Sequence, residues 1–175
     1  IFDIETNGFS RRDAIIYMIG CIYKKNDHYE YCNLFASSPS KEYDLICYFF
    51  NMLKKFHWLV HFNGNNFDIP FLLARAKQHG ITETISPLKS LDIYDILRPY
   101  RKSLNLPNLK LATLQNKLGY VRKDTTSGGD LIPIYHAYVK KAYKPYYELL
   151  LLHNREDVEG MLALLPLIDI FIFIE

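Results

Sequence analysis

An α/β fold, a mixed sheet flanked by helices, is predicted by three features of the sequence. Short runs of β-branched and aromatic residues crowd the first third of the chain and are separated by turn residues, as hairpin strands are. A compact apolar strand, Trp58–Phe62, and a last strand, Lys89–Ile93, then alternate with a helix-like stretch. From Asp95 onward the pattern is helical. Hairpins first and alternation later predict a five-stranded sheet, with the first three strands antiparallel and the last two parallel to the first.

Each element has its own signal. Ile1–Ile4 reads as a short buried strand and Asn7-Gly8 as the turn after it. Ala14–Tyr23 and Tyr29–Phe35 read as strands joined by a hairpin turn at Lys25-Asn26-Asp27. Ser38-Pro39-Ser40 breaks the pattern. The helix predicted over Lys41–Lys55 sets Leu45, Phe49, Met52 and Leu53 on one face. A polar loop, Asn63-Gly64-Asn65-Asn66, follows the fourth strand. Pro70 suits the first turn of a helix running to about His79, where Gly80 ends it. After the last strand, helices are expected over Asp95–Arg101 with Asp95 as N-cap, Leu111–Leu118, Ile132–Lys141 capped by Asp130, and Tyr146 to about Leu165.

Composition narrows the class. With 49% hydrophobic and 23% charged residues, 175 residues suffice for one solid core, so a single domain over 1–175 is expected. The chain shows no internal repeat or linker. It lacks an initiator Met and opens in strand-like sequence, which reads as a fragment of a longer chain. No apolar run reaches the roughly 18 residues of a membrane span, and no signal peptide is evident, so no membrane partner is expected. Cys21, Cys32 and Cys47 are odd in number and lack C-x-x-C spacing. They argue against a disulfide framework or zinc knuckle and for a reducing, cytoplasmic setting. The net charge of +2 hides an asymmetry: residues 96–123 hold no acid but seven bases, Arg98, Arg101, Lys102, Lys110, Lys117, Arg122 and Lys123. Such a segment can draw in a polyanion, although charge alone favours solvated helix faces.

Four acidic residues stand out by position. Asp3 and Glu5 lie two apart on a strand, so both side chains leave one face, at the strand end where open α/β sheets bind ligands. Asp68 follows a strand and a polar loop just ahead of Pro70, and a helix-capping role would explain it equally well. Asp157 lies four residues after His153, on the same helix face, and an exposed polar stripe is the competing explanation. Clustered carboxylates repel unless cations neutralise them, and hard divalent ions such as Mg²⁺ or Mn²⁺ are the natural partners. Two such ions clamp the attacking and leaving oxygens of a phosphodiester, and a nearby His can deprotonate water.

Three stretches carry a family resemblance: FDIETNGF (Phe2–Phe9), FNGNNFDIPFL (Phe62–Leu72) and HNREDV (His153–Val158). In order and spacing they resemble the motifs of the DEDD 3′–5′ exonucleases, which have the ribonuclease H-like fold. LDIYDILR (Leu91–Arg98), KLATLQNKLGYVRKD (Lys110–Asp124), LIPIYHAYV (Leu131–Val139) and HNREDVEGMLAL (His153–Leu164) resemble the YprB-like branch of predicted exonucleases. The resemblance implies a metal-dependent 3′–5′ exonuclease acting on DNA or RNA with two Mg²⁺ or Mn²⁺ ions, most naturally at a single-stranded 3′ end. It implies that Asp3 bridges both ions, that Glu5 and Asp157 complete the site of the nucleophile-activating ion, and that Asp68 holds the second through water. It assigns His153 as general base. Substrate contacts would come from Thr6, Asn7, Asn63 and Phe67, with Arg98, Arg101 and Lys102 along the strand's path. One departure stands out: three residues separate His153 from Asp157, the spacing of the Tyr-type enzymes, where the His-type enzymes have four. The alternative class is a catalytically inactive ribonuclease H-like module that binds nucleic acid or serves as a scaffold. A carboxylate-pair glycosidase needs two carboxylates, not four.

Other candidates carry less. His61 reads as a satisfied core or edge histidine, and His28, His57, His79 and His136 form no metal spacing. Ser127-Gly128-Gly129 lacks the Lys of a phosphate loop. Asp92 is an outer-shell candidate. Tyr143, Tyr146 and Tyr147 suit base stacking or packing on the sheet.

Overall fold

The computed structural model describes residues 1–85 and 88–172, with side chains described as far as residue 168. The chain order is β1 (Phe2–Thr6), β2 (Ile16–Lys25), β3 (His28–Phe35), α1 (Glu42–Leu53), β4 (Trp58–His61), α2 (Asp68–Gln78), β5 (Lys89–Asp92), α3 (Ile93–Leu97), α4 (Leu111–Lys117), α5 (Gly128–Lys141) and α6 (Lys144–Ile172). Short 3₁₀ turns at Pro39–Lys41 and Arg98–Tyr100 precede α1 and follow α3. Among the described residues no helix is long and apolar enough to cross a membrane, and the three cysteines are free thiols.

The hairpins form as expected. β1, β2 and β3 make an antiparallel sheet in that order, and Asn26, at a φ of 53°, turns the β2–β3 hairpin. β4 and β5 pair in parallel. They do so as a separate two-stranded sheet, so the single five-stranded sheet expected from the sequence is corrected to two sheets. The reason lies on the free edge of β1. Ile1 and Ile22 exchange both backbone hydrogen bonds, so odd residues of β1 direct their N–H groups at β2 and even ones at the other edge. There the Ile4 N–H is donated to Asp68 Oδ1 at 3.2 Å. β4 packs beside β1 with Phe2 and His61 edge to face, 5.9 Å between ring centres, but a side chain takes the donor a ladder would use.

Alternation along β1 sorts the layers. Phe2 and Ile4 enter one core with Ile46, Phe49, Phe71, Leu72 and Tyr135, under α1, α2 and α5. The opposite face carries Ile1, Asp3 and Glu5 toward α6, whose Val158, Met161 and Leu164 form a second core with Ile22, Ile93, Leu97 and Leu114. Two helix boundaries differ from expectation. α3 begins at Ile93 because Asp92, not Asp95, is the cap; its Oδ1 accepts the Tyr94 N–H at 3.0 Å. α5 begins at Gly128, with Ser127 as N-cap and Asp130 reaching back to the Ser127 N–H at 2.9 Å. α6 passes through Pro166 and is described as far as Ile172.

Two irregularities shape the site end of the sheet. A bulge between Glu5 and Thr6 leaves Tyr17 unmatched. The neighbouring Ile16 N–H turns to Glu42 Oε1 at 2.8 Å, and Asn7 clasps Ile15 through both its N–H and its Oδ1. Opposite Asp3 stands Gly20, where a Cβ would lie 1.9 Å from Asn154 Oδ1. Only glycine admits α6 this close to the sheet.

Candidate active site

Asp3 and Glu5 leave the α6 face of β1 and meet His153 and Asp157 of α6. All four line one cavity of about 210 Å³, whose sides are closed by Phe9, Phe67 and Ile132. Phe9 is 72% exposed at its mouth. His153 Nε2 lies 3.4 Å from Asp157 Oδ2 and 3.9 Å from Glu5 Oε1. Asn154 Nδ2 donates to Asp3 Oδ2 at 3.0 Å and is itself braced by Asn33, whose Nδ2 donates to Asn154 Oδ1 at 3.3 Å. Asp68, at the start of α2, sits just outside the cavity lining on the β1 edge, held by the Ile4 N–H.

Crowding is written into the protonation of this cluster. Burial, then Asp68, Glu5 and Asp157 in turn, push Asp3 well above the ordinary carboxylate range, against the pull of the Asn154 amide. Burial and Asp157 push Glu5 up as well. Burial raises Asp68 to about 6, with the Ile4 N–H acting in the opposite direction. Asp157 has a cation: Arg122 Nη1 donates to its Oδ1.

Arg122 belongs to the loop between α4 and α5, which forms the outer wall. Its guanidinium also reaches Gln115 Oε1 at 3.1 Å, Asp124 Oδ2 at 3.5 Å and Glu156 Oε2 at 3.6 Å. Glu156 clasps the loop backbone, accepting the N–H groups of Lys123 and Asp124 at 2.8 and 3.0 Å. Asp124 accepts from Thr126 Oγ1 at 2.6 Å and from His153 Nδ1 at 2.5 Å. Burial alone would raise the Asp124 carboxyl, but Thr126 and His153 hold it below the ordinary range. A second cavity of about 370 Å³ shares His153 and Asp157 with the first and is lined by Lys110, Arg122, Thr126 and Ser127.

A comparison with protein families bears on this arrangement: a model described as the RNase H superfamily matches residues 1–168. The chain belongs to the RNase H superfamily. Membership points to nuclease-like activity and nucleic-acid binding, and nucleases of this superfamily typically use divalent metals. No curated protein sequence matches the chain.

Within this RNase H-like domain, Asp3, Glu5, Asp157 and His153 are brought together as the sequence suggested, with Asp68 at their margin. Thr6 and Phe67 line the same cavity, the Thr6 hydroxyl donating to Gly8 O at 2.7 Å. Asn7 and Asn63 are committed elsewhere. Asn7 holds Ile15, and Asn63, at a φ of 57°, shapes its loop by donating its N–H to Asp92 Oδ1 at 2.7 Å and accepting from Asn66 Nδ2 at 2.8 Å. Arg98 and Lys102 are exposed outside both cavities, and Arg101 donates to the carbonyls of Leu106 and Pro107 in its own segment. Of the seven bases, Arg122 and Lys110 reach the site. Asp92, caught between His61 and two loop N–H groups, shapes the β4–α2 loop. Tyr147 packs on Phe35 of the sheet, 4.8 Å between ring centres. Sequence reasoning passed over Asp124, Asn154 and Glu156. All three lie in stretches that carry the family resemblance, yet only contact geometry separates them from a solvated polar face.

Proposed function

We propose that this domain is a metal-dependent 3′–5′ exonuclease of the DEDD type, close to the YprB-like branch, working in the cytoplasm on the 3′ end of a nucleic-acid strand. The observation that supports it is the meeting of Asp3, Glu5, Asp157 and His153 in one cavity with Asp68 at its edge. The donor set fits hard divalent cations: oxygen atoms dominate, and the burial and mutual repulsion that raise Asp3 and Glu5 are what such ions offset. Asp3, Glu5, Asp68 and Asp157 would hold two Mg²⁺ or Mn²⁺ ions. When bound, such ions supply an activated water and neutralise charge at the phosphodiester.

The protein's own groups do the positioning. Asn154 fixes Asp3, the Ile4 N–H fixes Asp68, and Arg122 holds one oxygen of Asp157, leaving the other toward His153. Phe9 and Phe67 offer apolar surface to a terminal base at the cavity mouth. Lys110 lies along the adjoining groove, where phosphates of the same strand would pass.

The test is digestion of 5′-labelled DNA and RNA, single- and double-stranded, in Mg²⁺, in Mn²⁺ and in chelator. Shortening from the 3′ end, dependent on metal and abolished by Asp3→Asn and by Asp157→Asn, is expected. Digestion that survives chelation overturns the reading, and so does no digestion of any substrate by a folded protein.

A further inference from the structure

We propose that His153 is a direct ligand of the divalent ion held by Glu5 and Asp157, rather than the general base the family resemblance assigns it, and that Asp124 is the positioning residue that turns it to the metal. The inference deepens the nuclease reading and depends on it for the presence of an ion.

Three donor atoms converge: Glu5, His153 and Asp157 each offer one ligand atom within 4.8 Å of the other two. From His153 Nε2 the distances are 3.4 Å to Asp157 and 3.9 Å to Glu5. Ligands at about 2.1 Å in an octahedron lie roughly 3.0 Å apart when adjacent and 4.2 Å when opposite. Both observed separations fall between those limits. The imidazole is 8% exposed, facing the cavity rather than the protein surface.

Its orientation is fixed from behind. Nδ1 faces the Asp124 carboxylate at 2.5 Å, which makes Nδ1 the protonated nitrogen. Nε2, on the other side of the ring, faces the carboxylate oxygens of Glu5 and Asp157, and a cation placed between them would take a lone pair from each of the three atoms. Asp124 is itself held by the Thr126 hydroxyl at 2.6 Å and N–H at 3.0 Å, and its backbone by Glu156. Carboxylate, imidazole and metal in line is the arrangement by which proteins orient histidine ligands.

The spacing that departs from the His-type enzymes agrees. At 3.6 residues per turn, positions four apart sit about 40° apart around a helix, and positions five apart about 140°. The His153–Asp157 interval therefore brings Nε2 beside the Asp157 carboxylate, where a ligand belongs. A nitrogen donor also shifts preference from Mg²⁺ toward Mn²⁺, Co²⁺ or Zn²⁺.

The experiment uses Mn²⁺ alone. After chelator treatment the protein is titrated with Mn²⁺, and pulsed electron paramagnetic resonance reads nitrogen bound to the ion. A nitrogen modulation in wild type, lost in His153→Asn, is expected. Asp124→Asn should weaken Mn²⁺ binding roughly 10- to 100-fold, while Asp44→Asn, exposed in the first turn of α1, leaves affinity unchanged. Mn²⁺ bound at a site sensitive to Asp157→Asn but without bound nitrogen overturns the inference and spares the nuclease reading. Failure of the wild type to bind Mn²⁺ overturns both. Should His153→Asn not fold, the wild-type spectrum and the Asp124→Asn affinity decide the matter.

Discussion

Replacing Asp68 by Asn should make the metal-free protein more stable. The substitution removes a charge and little else, because an amide Oδ1 can still accept the Ile4 N–H that now lies 3.2 Å from Asp68 Oδ1. Asp68 is 6% exposed, and its pKa rises from 3.8 to about 6, mainly through burial. That is roughly 2 units, or about 3 kcal/mol of strain in the ionised form at 1.36 kcal/mol per unit. Between about pH 4 and 6 the folded protein keeps a proton that the unfolded chain has released. Wild-type stability therefore falls as pH rises through that window, by up to about 3 kcal/mol, and the Asn variant is spared this loss. At pH 7.5 in chelator the variant should melt up to about 10 °C higher, given some 2–4 °C per kcal/mol at this chain length. At pH 3.5, where Asp68 is mostly protonated in both states, the two should nearly coincide. Saturating Mn²⁺ should raise wild type the more, since it retains the carboxylate. Thermal unfolding followed by circular dichroism at both pH values is the assay. A variant no more stable than wild type at pH 7.5 in chelator, or a difference that persists at pH 3.5, would refute the reasoning.

Other expectations rest on other contacts. Gly20→Ala places a Cβ 1.9 Å from Asn154 Oδ1 and must dislodge the amide that holds Asp3; a lower melting temperature and weaker Mn²⁺ binding should appear together, and unchanged binding would detach Asn154 from the site. Glu42→Ala strips the buried Arg75 guanidinium of its ion-pair partner and should cost about 3–5 kcal/mol in urea unfolding. Lys110→Glu should flatten the log–log salt dependence of single-strand binding by about 0.7, while Arg101→Glu, whose guanidinium already serves its own loop, should not. Equal slopes for the two variants would remove Lys110 from the strand's path.

The sequence displayed the strands, the hairpin turn and the carboxylate set because each leaves a local signature. Apolar alternation marks β1, Asn26 the turn of the β2–β3 hairpin, and the D-x-E and H-x-x-x-D spacings fall on single elements. What escaped was whatever one element does to another. The join between β1 and β4 fails as a ladder because a side chain 64 residues away takes the Ile4 N–H, and no window around Ile4 announces that. Asp95 looked like the cap of α3, yet Asp92 wins because the β4–α2 loop converges on the same carboxylate. The basic run read as one surface; in space Arg122 turns inward to Asp157, Arg101 back on its own segment, and Lys110 joins Arg122 in lining the groove beside the site. Asp124 and His153 are 29 residues apart, so their contact existed only once α6 had docked.

Glu156 binds two backbone N–H groups of the loop that carries Arg122 and Asp124, and so divides the site into parts with different histories. The sheet and α6 form a chassis whose carboxylates are set by strand pleat and helix pitch. The loop is a cartridge, latched to that chassis by main-chain contacts that are indifferent to its side chains. Residues on the cartridge can be exchanged without disturbing either core. A lineage could thus retune which ion is preferred, or how His153 is held, while leaving the scaffold unaltered.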